Sequence, residues 1–258
     1  MTKISVVIHT CNNAKIIREC LESVKEFDEI VVCDMYSDDE TLEIAREYNC
    51  KIVMHEKTGF VEPARNFGIS NASNEWVLVV DSDEKITPEL RNYLYEFIKE
   101  PGKVSSIRIP RLNYAWGKPL EILYPDYIVR FFKKDAIFWP PQVHATPEII
   151  YGERIDIDKN RKELAILHKY TSSMKQVIKT LNKYTDLEYE KALNRKDKTN
   201  FTFAVWKSLW LIIEKLILKG GFKDGKRGFI IAICAGFYKF TSYVKLYEQN
   251  GVLDNEKN

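Results

Sequence analysis

The stretch Trp76-Val77-Leu78-Val79-Val80-Asp81-Ser82-Asp83-Glu84 decides how the rest of the chain is read. Its apolar half, rich in valine, has the composition of a strand buried inside a parallel sheet. It runs directly into three carboxylates within four positions. Acids that follow a buried strand at once lie at the carboxyl edge of the sheet, where open α/β folds place their ligands. Asp81 and Asp83 are two positions apart, so both can reach one hard cation from a tight turn while Ser82 points elsewhere. The plain alternative is a solvated acidic turn capping the next helix.

The residues on either side support the α/β reading. Ile4 to His9 is an apolar run, and Ile16, Ile17, Cys20, Leu21 and Val24 follow it at helical spacing. Glu29 to Cys33 forms a second strand ending at Asp34, and Ser37-Asp38-Asp39-Glu40 matches a capping box at the start of a second helix. Ile52 to Met54 is a third strand, Ala64 to Ala72 a helix, and the Trp76 run the fourth strand. Thr87-Pro88 then opens another helix, with Thr as cap and Pro at the first helical position. This βαβαβαβ order predicts a mostly parallel sheet with helices on both faces.

Composition bounds the function. A chain of 258 residues, 45% hydrophobic, can bury a substantial core, and a net charge of +2 gives no reason to expect a nucleic-acid partner. Cys11, Cys20, Cys33, Cys50 and Cys234 are odd in number and widely spaced, which predicts reduced thiols in a cytosolic compartment. Residues 1–10 lack the basic start and long apolar core of a signal peptide. Thr10-Cys11-Asn12-Asn13-Ala14, after the first strand, is not the Gly-x-Gly-x-x-Gly of a dinucleotide-binding turn, and no phosphate-loop motif occurs. A nucleotide diphosphate would therefore be held without a glycine cradle, and a metal on Asp81 and Asp83 could do it.

Four motifs together resemble family 2 glycosyltransferases of the GT-A fold, especially the bacterial branch that adds sugars to lipopolysaccharide core. They are Ser5 to Asn12; Glu29 to Asp34 followed by Ser37-Asp38-Asp39-Glu40-Thr41; Ala64-Arg65-Asn66-Phe67-Gly68; and Asp81-Ser82-Asp83-Glu84. Weaker likeness continues to the C-terminal end. The resemblance implies a GT-A nucleotide-diphospho-sugar transferase fold over residues 1–170, with a helical appendage over 171–258. It implies that Thr10 and Asn12 line a nucleotide pocket, that Asp34 accepts from the base, and that Arg65 reaches the diphosphate or ribose. Asp81, with Ser82, would meet the ribose side of the donor. Asp83, with Asp81 beside it, would hold Mn²⁺ or Mg²⁺ against the diphosphate, and His168 would add a further ligand. Glu84 would order the loop or cap the Thr87 helix.

The middle of the chain departs from the pattern. Val104 to Pro110 and Asp126 to Lys133 read as strands, and Tyr114, Trp116 and Tyr124 crowd the loop between them, suited either to stacking on a sugar ring or to covering the sheet. Trp139 to Ala145 resembles the family's acceptor segment, where Val-His is commonly followed by a glutamate base; Ala145 stands there instead. Glu148, Asp126 and His144 remain as candidate bases for the acceptor's proton.

From Thr202 onward the chain is rich in aliphatic and aromatic residues, broken at Gly220-Gly221 and resuming over Gly228 to Phe240. Neither run reaches the ~20 residues of a bilayer crossing. Residues 203–247 carry eight Lys/Arg against two acids. Such helices suit the interface of an anionic leaflet, on the inner face of the cell membrane, or else pack on the catalytic domain or on a second copy of the chain. The function expected from all this is inverting, metal-dependent transfer of a hexose from a nucleotide sugar, a UDP-sugar first, to a cell-envelope glycan or lipopolysaccharide-type acceptor. The rivals are a non-catalytic sugar-nucleotide-binding protein and a transferase acting on protein or peptide. An Asp-x-Asp phosphatase is disfavoured because Lys85 stands where Thr or Val is needed.

Overall fold

The structure, a computed structural model, describes residues 2–142, 145–171, 173–195 and 200–249. It divides into two compact units, Met1–Leu112 with Pro125–His168, and Asn113–Tyr124 with Lys169–Asn258.

In chain order the strands and helices up to residue 97 are β1 (Ile4–Thr10), α1 (Ala14–Val24), β2 (Glu29–Asp34), α2 (Thr41–Glu47), β3 (Lys51–Met54), α3 (Glu62–Ser70), β4 (Trp76–Asp81), β5 (Glu84–Lys85) and α4 (Pro88–Phe97). They are followed by β6 (Val104–Ala115), β7 (Lys118–Pro119), β8 (Asp126–Lys133), β9 (Ile137–Phe138), β10 (Glu148–Ile149), β11 (Glu153–Asp156) and β12 (Ile166–Thr171). The remaining helices are α5 (Met174–Arg195), α6 (Phe201–Ile213) and α7 (Lys226–Gln249).

The sheet runs β3-β2-β1-β4-β8-β6-β12-β5. Its first four strands are parallel, and β8 enters antiparallel to β4, making the sheet mixed. The chain moves outward from β1 to β3 and then doubles back to place β4 on the other side of β1. Because such crossovers are right-handed, reversing direction moves the connecting helix to the opposite face. Accordingly Ile4, Val6 and Ile8 of β1 pack with α1, α2 and α4, whereas Val7 packs with Ile69 of α3. Both faces being covered is why Trp76 to Val80 is apolar throughout instead of alternating. Trp76 stacks on Phe131 of β8, ring centroids 4.9 Å apart.

The Thr87 cap forms as expected, its hydroxyl accepting from the Leu90 amide at 3.1 Å. The expected capping box does not. Helix α2 starts at Thr41 without a side-chain bond from Glu40, and Asp39 caps it by accepting from the Thr41 amide at 3.0 Å. Ser37 is drawn away because Asp34 captures both its amide and its hydroxyl.

In the second unit, Trp116 packs with Leu120, Ile122, Ile231 and Ala232, so of the two uses open to this aromatic the structure gives it to packing. Asp224, although buried, is satisfied by the amides of Glu121 and Ile122 at 2.9 and 2.8 Å. The pair Thr171-Ser172 has the residue types of a cap for α5, and Ser172 lies outside the described residues. Helix α7 outruns the Gly228–Phe240 run expected for it. Lys226–Glu248 is long and apolar enough to cross a membrane by length and composition, contrary to the expectation of a run too short.

Helix α3 sits close on the sheet because Gly68 lacks a side chain. A Cβ there would lie 2.5 Å from His9 Nε2 and 3.1 Å from Cys33 Cβ. Gly68→Ala is expected to destabilise the protein by about 1–3 kcal/mol through this overpacking, read as a lower urea midpoint with an unchanged m-value.

Candidate active site

The carboxyl ends of β1, β2 and β4 align, with Thr10 opposite Asp34 and His9 opposite Asp81. This edge lies where the strand order reverses, the usual ligand crevice of an open α/β sheet. The β1 and β2 loops are laced together. The Asn12 amide donates to Ser37 Oγ at 2.8 Å, and its side-chain oxygen accepts from the Asp38 amide at 2.9 Å. Asn12 holds φ 56°, a left-handed conformation that asparagine tolerates better than most residues. Thr10 is buried, its hydroxyl accepting from Asn13 Nδ2, and the buried Asp34 carboxylate is held by Ser37. These three expected donor-site residues are therefore brought to one edge, with Asp34 and Asn12 joined through Ser37.

Asp81 is held more tightly than the sequence indicated. Arg65 Nη2 donates to Oδ1 at 2.7 Å, and Arg130 Nη2 donates to Oδ2. Arg130 also reaches Glu84 Oε1 at 3.2 Å, and Arg111 Nη1 reaches the same oxygen at 3.1 Å. Arg111 closes the series on Asp126 Oδ2 through Nε and Nη2, at 2.9 and 2.6 Å. Positive and negative groups thus alternate from Arg65 through Asp81, Arg130, Glu84 and Arg111 to Asp126. Burial works to raise the Asp81 carboxyl, but the Arg130 and Arg65 charges and hydrogen bonds outweigh it and hold the group well below the usual carboxylate range.

This network sets the surroundings of two expected site residues. Each Asp81 oxygen accepts from one guanidinium group, so a cation on Asp81 would share the carboxylate with Arg65 and Arg130. Arg65 is buried against Asp81, with its guanidinium 5.0 Å from the Trp139 ring centroid, instead of reaching outward to a diphosphate. Glu84 does order the turn, its Oε2 accepting from the Asp81 amide at 3.0 Å. Ser82 is buried inside that turn.

Asp83 stays accessible. Its side chain is 38% exposed, and its Oδ2 lies 3.4 Å from Nε2 of His168, which is 14% exposed. The antiparallel pairing of β12 with β5 sets His168 opposite Glu84 and so delivers the imidazole to the acidic turn. A carboxylate beside an imidazole is a donor set suited to Mn²⁺. Among the described residues no group of three or more His, Cys, Asp or Glu side chains could hold a metal. The pair fits a cation that takes its remaining ligands from substrate phosphate and water.

The candidate bases separate. Asp126 is part of the charge network, whereas Glu148 is exposed and pairs with Phe138 in a separate two-stranded ribbon. His144 lies outside the described residues. Arg130 and Arg111 were missed by sequence reasoning. Arg130 alternates within the otherwise apolar Ile128-Val129-Arg130-Phe131-Phe132, and a charge inside such a strand was the available signal. His9 is buried too. Its Nε2 contacts the Ala64 carbonyl at 3.1 Å and its Nδ1 faces Arg65 Nη1 at 3.4 Å. A carbonyl only accepts and a guanidinium only donates, so the proton sits on Nε2. Burial, reinforced by the Arg65 charge, lowers the His9 pKa to about 3.

The mixed sheet with helices on both faces and an acidic turn at its switch point is a fold of the GT-A type. The sequence profile described as glycosyl transferase family 2 matches residues 5–154, and the chain belongs to that family. It is a glycosyltransferase enzyme. An uncharacterized glycosyltransferase of Rickettsia typhi is 26% identical over 259 aligned positions, covering 96% of this chain and 88% of its own. The lipopolysaccharide core biosynthesis glycosyltransferase LpsC of Rhizobium meliloti is 23% identical, covering 96% and 93% respectively. The mannosyltransferase PcManGT of Pyrobaculum calidifontis, solved in complex with GDP-Man and Mn²⁺, shares the fold. Its TM-score is 0.58 at 15% identity, over 95% of this chain and 87% of that one.

Two outcomes test the network. Arg130→Met leaves Asp81 and Glu84 without their shared cation, and is expected to cost about 3–5 kcal/mol in urea unfolding at neutral pH. The stability tied to the depressed Asp81 pKa is present above the unfolded value and lost as pH falls through the folded one, so acid unfolding should move to higher pH in this variant. His9 takes up a proton on unfolding between pH 6.5 and about 3, so its contribution falls as pH drops through that window. Between pH 7 and pH 5, His9→Gln should lose about 2 kcal/mol less stability than the parent protein.

Proposed function

We propose that this glycosyltransferase moves a hexose from a nucleotide sugar, a UDP-sugar first, to a cell-envelope glycan or lipopolysaccharide-type acceptor, with inversion and with a divalent cation. The observation that carries the reading is the Asp83–His168 pair at the same sheet edge as Asp34 and the clamped Asp81. The envelope acceptor is supported by the Rhizobium relative named for lipopolysaccharide core biosynthesis. Thiols that form no disulfide support a reducing compartment, the cytoplasm.

Each group then has a task. Asp34, buried at the end of β2 and fixed by Ser37, would accept from the donor's base with the lone pairs it does not give to Ser37. Asp83 and His168 would hold Mn²⁺ or Mg²⁺, which when bound would stabilise the negative charge gathering on the departing diphosphate. The Asp81 clamp holds the turn that carries Asp83 rigid, so the carboxylate is preorganised and need not be ordered during reaction. The acceptor oxygen bonds to the anomeric carbon from the face opposite the diphosphate, and the glycosyl–phosphate bond breaks with its electron pair leaving on phosphate. The acceptor's proton must go to a base, and of the candidates Asp126 is the one that Arg111 joins to Glu84 in the turn.

With Mn²⁺ and a panel of UDP-, GDP- and dTDP-sugars, the protein should transfer or hydrolyse one donor class, and chelation should abolish turnover. Asp83→Ala is expected to lower kcat by roughly 10²–10³, the size of losing one preorganised stabiliser. Near-normal turnover in that variant would reject the cation role, and saturable donor binding without turnover would reject this donor-transfer reaction. Product of retained anomeric configuration would reject inversion.

A further inference from the structure

The second unit is packed inside out for a hairpin in water. Ala204 and Ser208 are the buried positions of α6, and α7 buries Gly228, Ile231, Ala232, Gly236 and Leu246. A Cβ on Gly236 would lie 2.4 Å from Ile212 Cγ1 and 3.0 Å from the Ser208 carbonyl oxygen, so the two backbones approach closely through small residues. The Ser208 hydroxyl is satisfied within its own helix by the Ala204 carbonyl at 2.7 Å. Ile231 and Leu246 are buried and Ile212 and Leu216 half-buried, but most of the large side chains point outward. Trp206, Leu209, Trp210, Ile213 and Ile217 are exposed at i, i+3, i+4, i+7 and i+11, one face of the helix. Phe229, Ile230, Ile233 and Phe237 repeat the pattern on α7. A helix pair in water buries its large apolar stripes between the helices. Small residues inside and large apolar ones outside is the packing of helices that face lipid.

The connection between the helices adds charge. A π-turn over Glu214–Leu218 and a left-handed Gly220 leave Ile217, Leu218 and Phe222 63%, 67% and 64% exposed. Lys215, Lys219, Lys223 and Lys226 lie in the same segment. Of its two acids, Asp224 is buried and holds the amides of Glu121 and Ile122, so Glu214 alone opposes the lysines at the surface. The tip is therefore apolar and basic together.

We infer that the α6–α7 hairpin is a docking surface for an anionic lipid bilayer, lying in one leaflet's interface. A second copy of the chain would bring an equally basic tip against this one, whereas acidic headgroups complement it. Helix α7 has the length to cross, but a crossing would place its other face in hydrocarbon. Lys239 would then lie within the span, and Lys245 Nζ is already held by Asp186 at 2.5 Å and Thr185 Oγ1 at 2.9 Å on α5. Lysines at the tip can extend to the headgroups while their stems cover apolar surface.

Flotation of the full chain with phosphatidylcholine vesicles, with and without phosphatidylglycerol, tests this. The protein should float with the anionic vesicles and be released in part by high salt, with tryptophan emission shifting to the blue and quenched by brominated acyl chains. Lys219→Gln with Lys223→Gln, both exposed, should lower the anionic partition coefficient by roughly 30-fold, at ~1 kcal/mol per lysine. Trp210→Glu should lower it with and without salt, and the lysine pair keeps the test decisive if that variant misfolds. Equal binding to neutral vesicles overturns the proposal. So does absence of flotation, whether the protein then sediments as a monomer or as a dimer with tryptophans already shielded.

Discussion

A carboxylate stays ionised away from water only when its charge is matched nearby, and that constraint governs the sheet edge of this protein. Asp81 ends the central strand and is met by Arg65 from α3 and Arg130 from β8. The second guanidinium also serves Glu84, which in turn takes Arg111. Each ion thus has opposite charges on both sides, and the elements that supply them cannot move independently. The turn between β4 and β5 is fixed by this arrangement and by the Glu84 bond to the Asp81 amide.

The consequence is a division of labour between two acids that look alike in sequence. Asp81 is inward and structural in its contacts, keeping the sheet edge together. Asp83, two residues on, is outward and paired with His168. Strand geometry produces the division, because a tight turn directs alternate side chains differently once the first of them is anchored. A cation held there by these two protein groups would depend on its substrate for the rest of its ligands, which would couple metal binding to donor binding.

Much of the fold was legible. The apolar runs at residues 4–9, 29–33 and 76–80 became buried parallel strands, and the Thr87 cap and the β8 limits agree with the sequence pattern. Local chemistry misled where a longer-range partner competed for the same atoms. Ser37 had the spacing of a cap, yet Asp34 took it, and Asp39 capped α2 in its place. Trp116 could be read for sugar or for packing, and only the neighbours Ile231 and Ala232 decided it. The end of α7 was misjudged because Thr241, Ser242 and Lys245 interrupt the apolar run without interrupting the helix.

The sequence by itself determined the parallel βαβ core, the placing of acids at a strand end, and the family, because these follow from local periodicity and from motifs in fixed order. It could not determine which acid would be clamped and which left open. That depended on arginines arriving from β6 and β8, on a histidine from β12, and on the strand register that set them beside the turn. Coulomb attraction acts through space and not along the chain, so the partners of Asp81 and Asp83 became visible only when the sheet was assembled.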